Sequence, residues 1–153
     1  MDWIALGSML AAASAFTLSI IALLVSRKQE KRILFLSLNE RLMQPELQEG
    51  RTLLRESIES TSDAENVYAL NKNQHWSISR AVAMFDLLGL YVKHGYIKKD
   101  LALEEWGKTL TLSYEGHGEH FVRAREEALG WSPYPHFKYI AEMARREGLG
   151  HPR

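Results

Sequence analysis

The residues best suited to chemistry lie in the stretch YEGHGEHF, 114 to 121. His117 and His120 are three apart, with Glu115 and Glu119 beside them, and imidazole with carboxylate can hold zinc or another divalent metal. On a helix such a pair would share a face. Gly116 and Gly118 argue instead for a turn, and no HExxH motif or matched second pair occurs elsewhere. His94 would supply a third ligand only through a tertiary contact. The stretch therefore reads as a solvated turn with helix-capping groups, leaving His117, His120 and Glu119 as weak metal candidates. No catalytic or cofactor-binding residue is assigned, and no cofactor is expected.

Other side chains invite similar comparisons. Arg123, Arg125, Lys98, Lys99 and Arg145 could bind a phosphorylated ligand if they converged, but Glu126, Glu127 and Glu142 lie among them, as on an ordinary charged face. The glycines of LGLYVKHG fall within or at the end of an amphipathic helix, so they serve packing and termination rather than a phosphate loop. No GxSxG or kinase signature is present. Asp86, bordering an apolar helical face, reads as a surface ion pair with Arg80 or Lys93. The aromatics Trp76, Trp106, Trp131, Tyr134 and Tyr139 read mainly as core. Within GWSPYPHF, Trp131, Tyr134 and His136 form the segment best suited to a partner surface.

These groups sit on helical periodicities. A helix opening at Pro45 carries Leu47, Leu54 and Ile58 inward and ends near STSD. A short polar helix surrounds Val67 and Leu70. The strongest element places Ile78, Ala81, Val82, Phe85, Leu88, Gly89 and Val92 on one face, with Ser77 or Ser79 as its cap and Gly95 as its end. Asp100 is the expected cap of a helix through Trp106, Leu110 and Tyr114. Phe121, Val122, Arg125 and Leu129 form the next helix, and Pro135 opens a last one with Phe137, Ile140 and Ala144 inward, ending at Gly148. The one alternating run, LTLSY at 110 to 114, is short. The fold class is all-α.

The N-terminal part has a different character. Residues 3 to 25 carry no charge, and every charge except Asp2 lies beyond Val25. As a helix this stretch spans roughly 34 Å, enough for a hydrocarbon core of about 30 Å. Trp3 would sit at one interface, and Arg27, Lys28, Lys31 and Arg32 at the other. A cleaved signal peptide fits less well, because a basic n-region is lacking and apolar sequence continues ten residues past AAASA. A buried helix of a soluble core is the third reading. The positive-inside rule puts the N-terminus outside and the remainder in the cytoplasm of an inner (plasma) membrane. Gly7, Ala11, Ala15 and Ser19, spaced by four, form a small-residue ridge suited to helix association in lipid. Beyond the basic cluster, Ile33, Leu34, Leu38 and Leu42 continue the helix as a stalk to about Met43.

The expected organisation is an anchor at 1–26, a stalk at 27–43, a cytosolic bundle of about five to six helices at 44–148 and a tail at 149–153. The segments LMQPELQEGRTLL (42 to 54), AVAMFDLLGLYVKHGYIKKDLALEEWG (81 to 107) and FVRAREE (121 to 127), behind a single span, resemble the small bacterial domain-of-unknown-function family 4760. That resemblance implies a membrane-tethered helical domain and brings no activity or site residues with it.

Zero net charge, from 19 basic and 19 acidic residues, disfavours nucleic acid as a partner. The absence of cysteine removes disulfides and thiolate chemistry. The sequence thus favours binding over catalysis, with the bilayer, a second copy of the span and an unidentified protein as partners. A tethered enzyme or small-ligand or metal sensor using the His/Arg-rich helices is the alternative. Replacing Ala11 and Ala15 by Leu should weaken span association in a membrane dimerisation reporter; unchanged signal would remove the ridge as its cause.

Overall fold

The computed structural model describes residues 3–149, with side chains from residue 14 onward. Its elements are α1 (Trp3–Leu42), α2 (Pro45–Ser57), α3 (Thr61–Leu70), α4 (Lys72–Lys93), α5 (Lys99–Ser113), a kinked turn at Tyr114–Gly118, α6 (Glu119–Leu129) and α7 (Pro135–Arg146). The described residues contain no strand, and the fold is all-α. The alternating LTLSY run is helical, continuing α5 into the turn.

α4 is the central element, and all seven positions expected on its inward face are buried. Two close approaches fix its neighbours. A Cβ at Gly50 of α2 would overlap the backbone carbonyl of Ser77, and one at Gly89 of α4 would overlap that of His136. Glycine therefore lets α2 and α7 reach the α4 backbone from opposite ends.

One turn from Gly89, Asp86 performs a second task for α7. Its Oδ1 accepts from the amides of His136 at 2.7 Å and Phe137 at 2.9 Å. These are orphan donors of the first turn, opened by Pro135, and a carboxylate there also meets the positive end of the helix dipole. Asp86 is thus a cap supplied from another helix rather than a surface partner of Arg80 or Lys93. The ring of Phe137 then stacks on Phe85, with centroids 5.3 Å apart.

Local starts differ from the sequence expectations in instructive ways. α4 begins at Lys72, where Asn71 accepts from the Gln74 amide, so Ser77 and Ser79 lie inside the helix. Lys98, not Asp100, precedes α5. Ser60 caps α3, accepting from the Asp63 amide at 3.2 Å while donating to its Oδ2 at 2.8 Å. The short helix expected around Val67 and Leu70 is present as α3, with Leu70 exposed and Ala64 its buried residue.

The end of α1 belongs to the core. Phe35, Leu38 and Leu42 are buried, whereas Ile33 is 65% exposed, so the inward stripe runs through Phe35 instead. Arg51 Nη1 donates to the Leu42 carbonyl at 2.6 Å, and Trp106 Nε1 to Asn39 Oδ1 at 2.8 Å. Lys31, expected at a membrane interface, donates from Nζ to the Gly95 carbonyl at 2.7 Å. Residues 14 to 32 are exposed throughout. Among the described residues no helix is long and apolar enough to cross a membrane. The uncharged stretch extends back to Trp3, and Trp3, Gly7 and Ala11 lie outside the residues whose packing is described.

Asp86→Ala should cost about 1–2 kcal/mol, the usual range for losing a helix cap. Gly89→Ala should cost about 1–3 kcal/mol, because a backbone carbonyl cannot yield as a side chain can. Urea denaturation of the full chain followed by circular dichroism measures both.

Candidate functional site

The structure disperses the groups that most resembled a metal site. At the kink, Glu115 leaves helical geometry and Gly116 takes a φ of 76°, so His117 projects from a turn while His120 stands on the first turn of α6. His117 Nδ1 donates to the Ile58 carbonyl at 2.7 Å, at the end of α2. His120 Nδ1 lies 3.3 Å from Thr61 Oγ1, at the start of α3. Both rings thus stitch the α2–α3 junction to the kink. Glu119 reaches Arg123 at 3.4 Å across one exposed helical turn. Tyr114, which opens the kink, has its hydroxyl pushed up to about 12 by burial and then by Glu119. Among the described residues no three His, Asp or Glu side chains are grouped to hold a metal ion.

The cationic set separates in the same way. Lys99 pairs with Glu147 at 2.6 Å, and Arg123 with Glu119. His94 lies beside Tyr96 beyond the far end of α4. Arg145 lines a small pocket among Glu115, Glu119 and Glu142, whereas Arg125 turns into a larger cleft, its guanidinium carbon 4.9 Å from the centre of the Tyr68 ring.

That cleft, about 570 Å³, lies between α3, the first two turns of α4, and α6. Its floor and walls include Tyr68, Lys72, His75, Trp76, Ser79 and Arg125, with Tyr134 closing one side. Lys72, His75, Trp76 and Ser79 stand at i, i+3, i+4 and i+7, one stripe of α4, because the helix begins at Lys72 behind its Asn71 cap. His75 packs its ring edge-on to Tyr68 at 4.9 Å and lies 5.6 Å from Phe121. Burial, and then the nearby Arg125 charge, hold its pKa below the ordinary histidine value. Ser79 is 9% exposed. Its Oγ and the Nε2 of His75 are buried without a hydrogen-bond partner among the described residues. On the far side of Tyr68 and Arg125 a second cavity of about 300 Å³ is lined by Glu65, Phe121 and Glu127.

The expected partner segment is divided by this arrangement. Trp131 is 61% exposed. Tyr134 turns into the cleft, 6.3 Å from Phe121, and His136 is half-buried with its amide held by Asp86. Of the residues singled out in the sequence, Arg125, Trp76 and Tyr134 come together. Lys72 and His75 join them without having been singled out, as does Ser79, which the sequence offered only as a helix cap. Their polar stripe is readable only when α4 is capped at Asn71, five residues before Trp76.

No protein-family model, curated protein or solved structure matches the chain.

The depressed His75 pKa means that the unfolded chain binds a proton there more readily than the folded one. Stability from this group is therefore complete above the ordinary histidine value and is lost as pH falls through the folded value. Thermal melts between about pH 7.5 and about pH 5.5, which bracket the ordinary value, should show a larger fall for the native chain than for His75→Gln. Parallel curves would assign the acid sensitivity to other groups.

Proposed function

We propose that this is a single-pass inner-membrane protein of bacterial type, whose helical domain faces the cytoplasm and works by binding partners held at the same membrane. The reading is carried by one observation: α1 exposes apolar side chains around its circumference before entering the core. Phe16, Leu18, Ile21, Leu23 and Leu24 are each more than half exposed. A helix apolar on all sides is stable only when something apolar covers it. Polar groups within it turn inward: Thr17 Oγ1 donates to the Ser14 carbonyl at 3.2 Å, and Ser19 Oγ to that of Ala15 at 2.9 Å. Such back-bonding suits a lipid surrounding, where hydroxyls lack water as a partner.

The basic residues that follow, Arg27, Lys28 and Arg32, are exposed and support a cytoplasmic interface. Tethering then raises the local concentration of the domain for its targets. Self-association through Gly7, Ala11, Ala15 and Ser19, and a protein partner at Trp131, complete this reading. A second reading, a tethered small-ligand sensor, draws support from the cleft around Arg125.

Expressed in a Gram-negative host, the full chain should stay in the membrane pellet after alkaline carbonate washing, and Ile20→Arg with Leu24→Arg should release it. Because the chain has no cysteine, Ser132→Cys offers a single label site. A membrane-impermeant maleimide should reach it only after lysis. Native protein in the carbonate supernatant would overturn the anchor, and labelling of intact spheroplasts would overturn the orientation.

A further inference from the structure

We infer that the cleft between α3, α4 and α6 is a binding site for a small organic oxyanion, a carboxylate or phosphate ester, carried on a planar apolar body. Its volume of about 570 Å³ falls within the range of about 300–1,000 Å³ usual for small-molecule pockets.

The charge is one-sided. Lys72 from α4 and Arg125 from α6 both line the cleft, and no carboxylate does. Glu65 and Glu127 line the adjoining cavity, beyond the Tyr68–Arg125 contact. The Arg125 guanidinium carbon already lies over the Tyr68 ring, a contact made through the face of the ring that leaves guanidinium N–H donors to meet an oxyanion.

Two polar atoms await a partner. Ser79 Oγ and His75 Nε2 are buried and unpaired among the described residues, and both side chains line the cleft. An unmade hydrogen bond is costly in a buried place, and a rotation of either side chain toward the cleft would let a ligand group complete it. A hydroxyl and a neutral imidazole can each donate to an oxyanion or accept from a ligand hydroxyl.

The remaining wall selects the body of the ligand. Tyr68, Trp76 and Tyr134 present ring surface to the cleft, and Trp76 is 67% exposed. Aromatic walls with convergent donors favour a flat apolar ligand over a bare ion. The site is indifferent to whether α1 is anchored, because none of its residues comes from that helix.

Calorimetry on the full chain in lipid nanodiscs, with empty nanodiscs as the blank, tests the assignment. The probes are benzoate, phenyl phosphate, phenol and inorganic phosphate. At least one aromatic anion should bind saturably, and which one does separates a carboxylate ligand from a phosphate ester. Phenol and inorganic phosphate should bind about tenfold more weakly or worse, the scale expected when a charged or an apolar contact is missing. Arg125→Gln and Lys72→Gln should each weaken binding about tenfold, and Ser79→Ala about threefold, as for a single lost hydrogen bond. Arg123→Gln, on the exposed face of α6, should leave affinity unchanged. Lys72 is exposed at the start of its helix, so its variant separates loss of charge from loss of fold. Absence of saturable binding by both anions would overturn the site, as would equal binding of phenol or indifference to both cation substitutions.

Discussion

The carboxylate of Asp86 ties the amide end of α7 to the middle of α4, and much of the remaining architecture follows from that attachment. With His136 and Phe137 held by their backbones, the Phe137 ring is delivered onto Phe85 and edge-on to Tyr114. The kink after Tyr114 therefore has a fixed neighbour. Tyr134, two residues before the first capped amide, is carried to the cleft by the same constraint. Gly89 makes the geometry possible by letting the His136 carbonyl lie against the α4 backbone. One carboxylate and one missing methyl group thus govern both a core junction and the wall of a candidate binding site.

A second junction joins the long first helix to this core. The Arg51 guanidinium is buried, and burial, followed by the nearby Arg55, lowers its pKa from the ordinary arginine value. It remains a cation in a favourable setting. The Leu42 carbonyl at the end of α1 accepts from it, where the helix dipole is negative. The faces of Trp106 and Phe85 lie 5.3 and 5.8 Å from its central carbon. The charge is therefore solvated by π-electrons and a helix terminus rather than by a carboxylate.

Periodicity made the interior legible. The α4 face from Ile78 to Val92 and the inward residues Phe121, Val122, Phe137 and Ile140 were readable because apolar side chains recur at helical spacing. Helix starts were less legible, because several residue types can cap and tertiary packing chooses among them. Starting α4 at Ser77 or Ser79 hides the stripe Lys72, His75, Trp76 and Ser79, which becomes visible only once Asn71 is the cap. The role of Asp86 was hidden for a related reason: its partners are backbone amides fifty residues away, and no side-chain pattern reports them. His117 and His120 had the spacing of ligands, yet their hydrogen-bond partners lie at the ends of other helices. The polar chemistry of the domain is settled by where helices stop, which sequence states poorly.

The continuity of α1 has a geometric implication of its own. The helix passes from its exposed apolar length into the core without interruption, fastened at Leu42 by Arg51 and earlier by Lys31 to the Gly95 carbonyl. Each residue of a helix advances about 1.5 Å and turns about 100°. The azimuth at which the bundle faces its surroundings is thus written into the residue count between Ser26 and Lys31. Adding or removing one residue there, ahead of the Lys31 contact, would leave the packing of the bundle intact and turn the whole cleft through more than a quarter turn about the apolar length of α1.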